Sequence, residues 1–169
     1  MSYTLSSHEK LVERLQAVSN SSRSIDFRGV NFKGVDLTGM EFAFVSLELV
    51  CFDGANLSSA KFRHVDMTNA SFRGACLNNA QFHFVRGAAV NFEGVSAVGA
   101  YWDRSTLVGS NFLGANLKQS SLVNSGLERV SFDAADLTLA TLAWSNLDGA
   151  TFRNTNLDHV ETLGTNLSY

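Results

Sequence analysis

The 169-residue sequence contains no proline and only two cysteines, Cys51 and Cys76. Two cysteines are too few for the disulfide framework of a small secreted scaffold, so we expect two reduced thiols in a cytoplasmic protein. No run of about 18 apolar residues occurs, which predicts no membrane span. The first residues lack the basic and apolar segments of a secretory signal. A net charge of −3 demands no nucleic acid or other highly charged partner.

A five-residue repeat, in contrast, runs through nearly the whole sequence. From Phe27 to Leu167 every fifth residue is Leu or Phe, with few exceptions. The exceptions are Met67, Gly87, Ala97, Trp102 and Thr162. Most glycines follow these positions by two residues, as at Gly29, where a type II turn needs a positive φ. Helices and strands have other apolar periods, so the pattern predicts short extended pieces joined by turns.

A longer period of twenty residues predicts the size of each coil. Phenylalanine recurs every twenty residues from Phe32 to Phe152, so four five-residue repeats make one four-sided coil. Coils that pair through their backbones rise by about 4.8 Å, which stacks each ring on the next. About seven such coils fit the repeats. The predicted structural core contains Phe32, Phe52, Phe72, Phe92, Trp102, Phe112, Phe132 and Phe152.

One coil departs from the pattern, because its four inward positions hold Gly87, Phe92, Ala97 and Trp102. Trp is larger than Leu or Phe, and overfilling a close-packed core costs about 1–3 kcal/mol. Gly87 and Ala97 remove volume from the same layer. We interpret this coil as volume compensation, with a bulge at Gly87 that presents a site as the alternative.

The stretches ANLSSAKF, ANLKQSSL, ADLTLATL and TNLDHV match the motif A(D/N)LXX, and residues 25–169 resemble the pentapeptide repeat family. The resemblance implies an all-β solenoid, specifically a right-handed quadrilateral β-helix. It also implies dimers, because family members often pair through their C-terminal ends. Some members mimic DNA and protect type II topoisomerases, such as gyrase, from inhibitors.

Residues 1–24 form a separate N-terminal segment before the repeats. Within it, SSHEKLVERLQAVS at residues 6–19 is typical of a helix, because Ser6 and Glu9 make a capping box and the apolar residues share one face. The sequence therefore predicts a short capping α-helix over the open N-terminal end of the solenoid. A helix that binds a partner is the alternative.

The sequence contains no recognisable catalytic or metal-binding arrangement. His64, His83 and Asp103 are expected on one side, but a structural zinc site needs four ligands. Neither a nucleophile–base pair nor a phosphate-binding loop is recognisable. Residues such as Asp36 and Asn56 are expected to bond the turn backbone. We therefore predict a protein that is not an enzyme and holds neither a metal nor a cofactor.

Two of the outward surfaces differ in character. Beside the Phe32 series the charges alternate from Lys33 to Glu93, which predicts a ladder of weak ion pairs. Beside Phe42 the outward positions are more apolar, and a row of large apolar residues marks an interface. The candidate interaction surface contains Phe44, Phe84, Tyr101, Val123, Trp144 and Leu163.

These observations favour a non-catalytic protein–protein interaction module that forms a homodimer, with an unknown protein partner and no direct contact with nucleic acid or membrane. The DNA mimic that binds gyrase is the alternative. A mimic of this length needs on the order of 20 acidic groups. The repeats contain 14 acidic and 10 basic residues, with no uniformly acidic side. A secreted effector or immunity module is a third reading.

Overall fold

The computed structural model describes residues 26–166, which form an all-β parallel solenoid. Isolated parallel bridges join residues that are twenty apart, beginning with Asp26↔Ser46. The predicted twenty-residue period is therefore confirmed as the register of the solenoid. Its right-handed sense and its seven coils stay predictions. The predicted capping helix at residues 6–19 lies outside the described residues.

Five short strands form one parallel sheet on the side of the solenoid that contains Phe42, which we call the Phe42 side. They are β1 (Glu41–Ala43), β2 (Lys61–Arg63), β3 (Gln81–His83), β4 (Tyr101–Asp103) and β5 (Ser121–Val123). Neighbouring strands pair in sequence order, with Phe42 beside Phe62 and Phe62 beside Phe82. Between residues 26 and 166 no helix is long and apolar enough to cross a membrane.

Turns separate the inward residues along each coil. After Phe32, the backbone N–H of Val35 donates to the Phe32 carbonyl at 3.1 Å, and Gly34 has a φ of 69°. A positive φ at the third residue together with this hydrogen bond is typical of a type II turn. The turns that follow β1 to β5 lack the corresponding hydrogen bond in the described chain. Turns without this hydrogen bond are common in proteins, and here one follows each of the three-residue strands.

The interior consists of ladders of stacked rings. In the series from Phe32 to Phe152, successive ring centroids lie 4.5–5.4 Å apart. A second ladder begins at Phe42 and meets the first edge to face, as where Phe42 lies 5.8 Å from Phe52. Each buried Phe contributes about 1.5–3 kcal/mol, and each stacked pair about 0.5–1.5 kcal/mol more. Phe152 is only partly buried, because it lies in the last described coil.

The coil with Gly87 keeps the register of its neighbours, although its turn is open, because the N–H of Val90 donates to the Ser110 hydroxyl at 3.1 Å and not to the Gly87 carbonyl. The N–H of Gly87 donates to the Thr106 carbonyl at 2.7 Å, and Arg86 bridges Thr106 in register. The interpretation of Gly87 as a bulge is therefore wrong. A Cβ on Gly87 would lie only 2.9–3.1 Å from Val90, Leu107 and Met67, so their side chains already fill the space beside it.

Candidate functional site: the Phe42 side

The six residues of the candidate interaction surface lie in three separate rows of the Phe42 side. Tyr101 starts strand β4, and Val123 ends strand β5; both are half-buried. Phe44, Phe84 and Trp144 form a second row, which we call the turn row. Each lies at a turn, one residue after the position that is equivalent to Val123 in its own coil. Their exposed fractions are 68%, 43% and 62%, and Leu163 is 62% exposed. The large exposed apolar area of this side is therefore concentrated at the turn row and at Leu163.

Four side chains of the turn row stack directly on one another, and we call them the surface ladder. The Phe44 and His64 rings lie 4.9 Å apart at 10°, and the His64 and Phe84 rings lie 4.9 Å apart at 2°. The guanidinium carbon of Arg104 lies 5.5 Å from the centroid of Phe84. A cation at this distance is attracted to the ring face. The surface ladder is thus a continuous aromatic stack that ends on a guanidinium.

The backbone of this row is in the left-handed region, where bulky residues are rare. Phe44, Phe84 and Trp144 have φ values of 57°, 55° and 61°. Glycine occupies the equivalent turn position elsewhere, as at Gly34 and Gly54. A left-handed conformation costs a residue with a Cβ roughly 1–2 kcal/mol, so three large aromatics here are retained against a local cost.

Trp144 lies over Gly164, the next position of the same row. A Cβ on Gly164 would fall 2.3–2.8 Å from three atoms of the indole ring, and Gly164 has a φ of 69°. A real Cβ does not approach other atoms this closely, so any side chain at Gly164 would displace the indole. Gly164 therefore helps to hold the exposed Trp144 ring against the surface.

A shallow, open groove of about 470 Å³ runs beside the N-terminal part of the surface ladder. Phe44, His64 and Phe84 of the surface ladder are among its lining residues. The remaining lining residues are Arg28, Val45, Ser46, Glu48, Val65, Asp66 and Arg86. Aromatic and charged side chains thus meet in one depression.

The charged residues that line this groove differ in their partners. Arg28 pairs with Asp26 at 3.0 Å, and Arg86 approaches Asp66 at 3.9 Å. Glu48 also lines the groove, but its carboxylate has no ion pair and no hydrogen bond within the described residues. The lining contains two arginines and two carboxylates, and Glu48 is the charged lining residue that has no ion pair within the described residues.

The two histidines of the Phe42 side have different surroundings. His64 is held between two Phe rings, whereas Nδ1 of His83 lies 4.0 Å from a carboxylate oxygen of Asp103. Arg104 approaches the same Asp103 side chain at 3.9 Å. Residues 26–166 contain no group of side chains suited to a metal ion, and Cys51 and Cys76 are both free.

Buried serines form a polar ladder behind the Phe42 side, which the sequence reasoning missed. The Ser105 hydroxyl accepts a hydrogen bond from the backbone N–H of Val85 at 3.3 Å. In the next two coils, the Ser125 hydroxyl accepts from the N–H of Ser105 at 3.3 Å, and the Ser145 hydroxyl accepts from the N–H of Ser125 at 3.0 Å. Each of these N–H groups follows an open turn and has no carbonyl acceptor within that turn. The serine hydroxyls therefore provide the hydrogen-bond acceptors that these buried N–H groups need. The signal in the sequence is serine recurring at a twenty-residue spacing.

Aspartates and asparagines bond the turn backbone, as predicted. Oδ1 of Asn31 accepts from the N–H of Lys33 at 2.9 Å, and Oδ1 of Asp36 accepts from the Thr38 N–H at 3.1 Å. The hydroxyl of Thr38, followed by its backbone N–H, lowers the pKa of Asp36 below its ordinary value. These short side chains therefore stabilise turns, and at Asp36 the ionised form is favoured.

The predicted ladder of ion pairs beside the Phe32 series forms only in part. Arg73 pairs with Glu93 at 3.3 Å. Asp53 instead accepts from the backbone N–H of Arg73 at 3.1 Å, and Asp133 from that of Arg153 at 2.9 Å. The short Asp side chains reach the backbone of the next coil rather than its charged groups, so this side has no continuous chain of paired charges.

Several solved structures are similar to this chain. Full-length QnrB1, a plasmid-mediated fluoroquinolone resistance protein, matches with 16% identity and a TM-score of 0.49, over 86% of this chain and 92% of that one. HetL, involved in heterocyst differentiation regulation in the cyanobacterium Nostoc, matches with 16% identity and a TM-score of 0.37, over 94% and 95% of the two chains. No match was found among curated proteins.

The sequence pattern of pentapeptide repeats matches this chain in 8 copies. The matched residues are 23–57, 51–83, 88–124 and 125–168. They span most of the chain, including the ladder of stacked rings from Phe32 to Phe152 and every residue of the surface ladder except Phe84. The chain therefore belongs to the pentapeptide repeat family.

Proposed function

We propose that this protein is a non-catalytic protein–protein interaction module, cytoplasmic and homodimeric, and that the Phe42 side is its binding surface. The observation that carries the proposal is the placement of Phe44, Phe84 and Trp144. All three are large, exposed and held at a positive φ that glycine adopts at equivalent turns. Because other non-glycine turn residues also have a positive φ, the distinguishing feature of these three positions is the large exposed aromatic side chain.

The exposed apolar area supports the same conclusion. Large apolar residues gathered on one face, with polar residues around them, mark a protein interaction site. Aromatic and Arg side chains are also the residues that contribute most to binding energy at interfaces. The surface ladder supplies Phe44, Phe84 and Arg104 in one rigid stack, so little side-chain entropy is lost when a partner covers it.

The competing function is a DNA mimic that binds gyrase and protects it from inhibitors. Such a protein needs a regular array of unpaired negative charge along its axis. Here the row beside the Phe32 series mixes signs, Arg73 neutralises Glu93, and Leu113 interrupts the charges. These features favour the apolar binding surface over the mimic. A secreted effector or immunity module would use the same kind of surface with a different partner.

The discriminating experiment is supercoiling by purified gyrase in the presence of a quinolone, with and without this protein. We expect no protection. Clear protection that raised salt abolishes would overturn the proposal in favour of the DNA mimic, because surface charge attraction is screened by salt.

A pull-down with the immobilised protein tests the binding surface itself. We expect a partner that is retained at high salt, because apolar burial is not screened. Phe44→Ser combined with Phe84→Ser should release it. Leu113→Ser combined with Leu139→Ser changes exposed apolar residues on other sides and should not. Equal retention by both double variants would contradict the proposed surface.

A further inference from the structure

The middle of the Phe42 side, formed by strands β2, β3 and β4 and the residue after each strand, carries an excess of positive charge. Lys61 and Arg63 lie on β2, and Arg104 follows β4 in the surface ladder. Among the outward residues of these three coils the only carboxylate is that of Asp103. With the histidines neutral the net charge there is +2, whereas the whole chain carries −3. We call Lys61, Arg63 and Arg104 the basic patch.

The one carboxylate in this region already has several polar neighbours. The Asp103 side chain is only 17% exposed, and one of its oxygens lies 4.0 Å from Nδ1 of His83. Its other oxygen lies 3.9 Å from Nε of Arg104 and accepts a hydrogen bond from Nδ2 of Asn124 at 3.3 Å. A carboxylate that is covered by donors in this way repels an approaching anion weakly, so the positive charge of the region dominates at its surface.

The three cations of the basic patch are available to a partner. Within residues 26–166 Lys61 has no ion pair, and Arg63 has a single long one, at 3.7 Å to Glu41. The Arg104 side chain is 63% exposed, and its guanidinium carbon lies 5.5 Å from the centroid of Phe84. A guanidinium held against a ring keeps its N–H groups at its edge, where two of them can bind one carboxylate with little loss of side-chain freedom.

We propose that the basic patch binds an acidic segment of the partner protein, with a carboxylate on Arg104 and an apolar side chain beside it on Phe84. This inference rests on the proposed interaction function and specifies the chemistry of the partner. Phe84 is 43% exposed, and Lys61 and Arg63 on β2 can receive a second carboxylate. Charges across an interface mainly set specificity and the association rate, whereas apolar burial resists salt.

The borders of the basic patch favour a short acidic segment over a nucleic acid. Glu41 lies on β1 at one border, and the outward residues of β5, Ser121 and Val123, are uncharged. A nucleic acid presents a long, regular row of phosphates, and its binding needs many Lys and Arg contacts along that row. Three cations within three coils match a few carboxylates and not an extended backbone.

The test uses the full chain and a defined probe, the acetylated and amidated peptide Gly-Glu-Leu-Glu-Phe-Glu-Gly. Its control carries glutamine in place of each glutamate, which keeps the shape and removes the charge. Binding is followed by chemical-shift changes of backbone amides in ¹⁵N-labelled protein. At low salt we expect the acidic peptide to bind about three- to tenfold more tightly, with the largest shifts around Phe84 and Arg104. Raised salt should reduce this preference.

Matched variants assign the preference to the basic patch. Arg104→Gln and Lys61→Gln should each weaken it, and the double variant should remove it. Lys33→Gln and Arg129→Gln remove the same charge at exposed positions outside the Phe42 side and should preserve it. Equal binding of both peptides by the unmodified protein, or an undiminished preference in the double variant, would overturn the proposal. An equal loss in the control variants would also contradict it, because the attraction would then come from the charge of the whole chain.

Two further outcomes separate this inference from its alternatives. If a short DNA duplex displaces the acidic peptide and binds more tightly, and the Lys61→Gln, Arg104→Gln double variant abolishes that binding, the patch recognises nucleic acid and the proposal is wrong. If a captured partner is released by Phe44→Ser with Phe84→Ser but fully retained by Lys61→Gln with Arg104→Gln, the interaction surface stands and the acidic partner falls.

Discussion

The indole of Trp102 lies parallel to the ring of Phe82, with centroids 4.8 Å apart and planes at 3°. It also meets Phe92 and Phe112 edge to face, at 6.3 and 6.0 Å. Its Nε1 is buried and has no hydrogen-bond partner within the described chain. A buried donor without a partner costs about 1–3 kcal/mol. Ring packing on three sides offsets that cost, and the fit of the indole depends on the volume left around it.

Enlarging Ala97, which occupies the same coil, should therefore overfill the layer. We expect Ala97→Leu to lower the free energy of unfolding by about 1–3 kcal/mol. Ala97→Leu combined with Trp102→Phe should recover most of the loss, because the smaller ring frees volume. Urea denaturation of the two variants, with Trp102→Phe alone as control, measures both steps. A double variant no more stable than Ala97→Leu would rule out volume compensation.

The serine ladder predicts that two buried serines differ in importance. Ser125 accepts from the Ser105 N–H at 3.3 Å and donates to the Val123 carbonyl at 2.9 Å, whereas the Ser120 hydroxyl has no partner in the described residues. Ser125→Ala should cost about 1–3 kcal/mol, because it leaves a buried N–H unpaired. Ser120→Ala should change stability by less than about 0.5 kcal/mol. Equal losses in urea denaturation would contradict this assignment.

The interior was predictable from the sequence because each inward position requires an apolar side chain of suitable size, and this requirement is visible in the residue itself. A Leu or Phe every fifth residue, with Phe32 and Phe52 twenty apart, gives both the coil length and the stacking. Even the coil of Trp102 keeps its register, since backbone pairing between coils does not depend on which apolar side chain points inward. Only the reading of Gly87 as a bulge failed, for the same reason.

The surface was less predictable, because adjacent residues in one coil point into different rows. The sequence placed His64 and His83 on one side without predicting a metal site, but it did not show that one stacks between Phe rings and the other approaches Asp103. The length of each side chain also determined which charged residues form ion pairs. Asp53 is short and bonds the next backbone, whereas Arg73 is long enough to reach Glu93.

Turn aspartates predict how stability depends on pH. The pKa is lowered at Asp26, Asp36, Asp133 and Asp136. The main causes are backbone N–H groups at Asp26 and Asp133 and threonine hydroxyls at Asp36 and Asp136. A pKa lower in the folded state than in the unfolded state adds stability above the unfolded value, and that stability is lost as the pH falls through the folded value.

We therefore expect stability to decline as the pH is lowered below about 4, the ordinary range of aspartate. A variant with all four aspartates changed to asparagine keeps the acceptor oxygens, as at Asn31, and should show a shallower decline. Thermal unfolding between neutral and acidic pH measures both slopes. Identical slopes for the two proteins would show that other groups control acid stability.

The left-handed turn position predicts opposite effects of glycine at two exposed leucines. Leu139 is 54% exposed with a φ of 61°, whereas Leu113 is 42% exposed without a positive φ. Leu139→Gly should raise the free energy of unfolding by about 1 kcal/mol, because it relieves strain. Leu113→Gly should lower it by about 0.5–1 kcal/mol, because glycine is more flexible when unfolded. A loss at both positions would show that the turns bear no strain.

The homodimer is tested by solution mass and by two surface changes. Exposed Trp144 and Phe84 offer one interface, and the last described coil, where Leu157 is 46% exposed, offers another. We expect a dimer by light scattering, dissociated either by Phe84→Ser with Trp144→Ser or by Leu157→Lys. Leu139→Ser, which removes an exposed apolar side chain elsewhere, should leave the dimer intact. A monomer at high protein concentration would overturn the prediction.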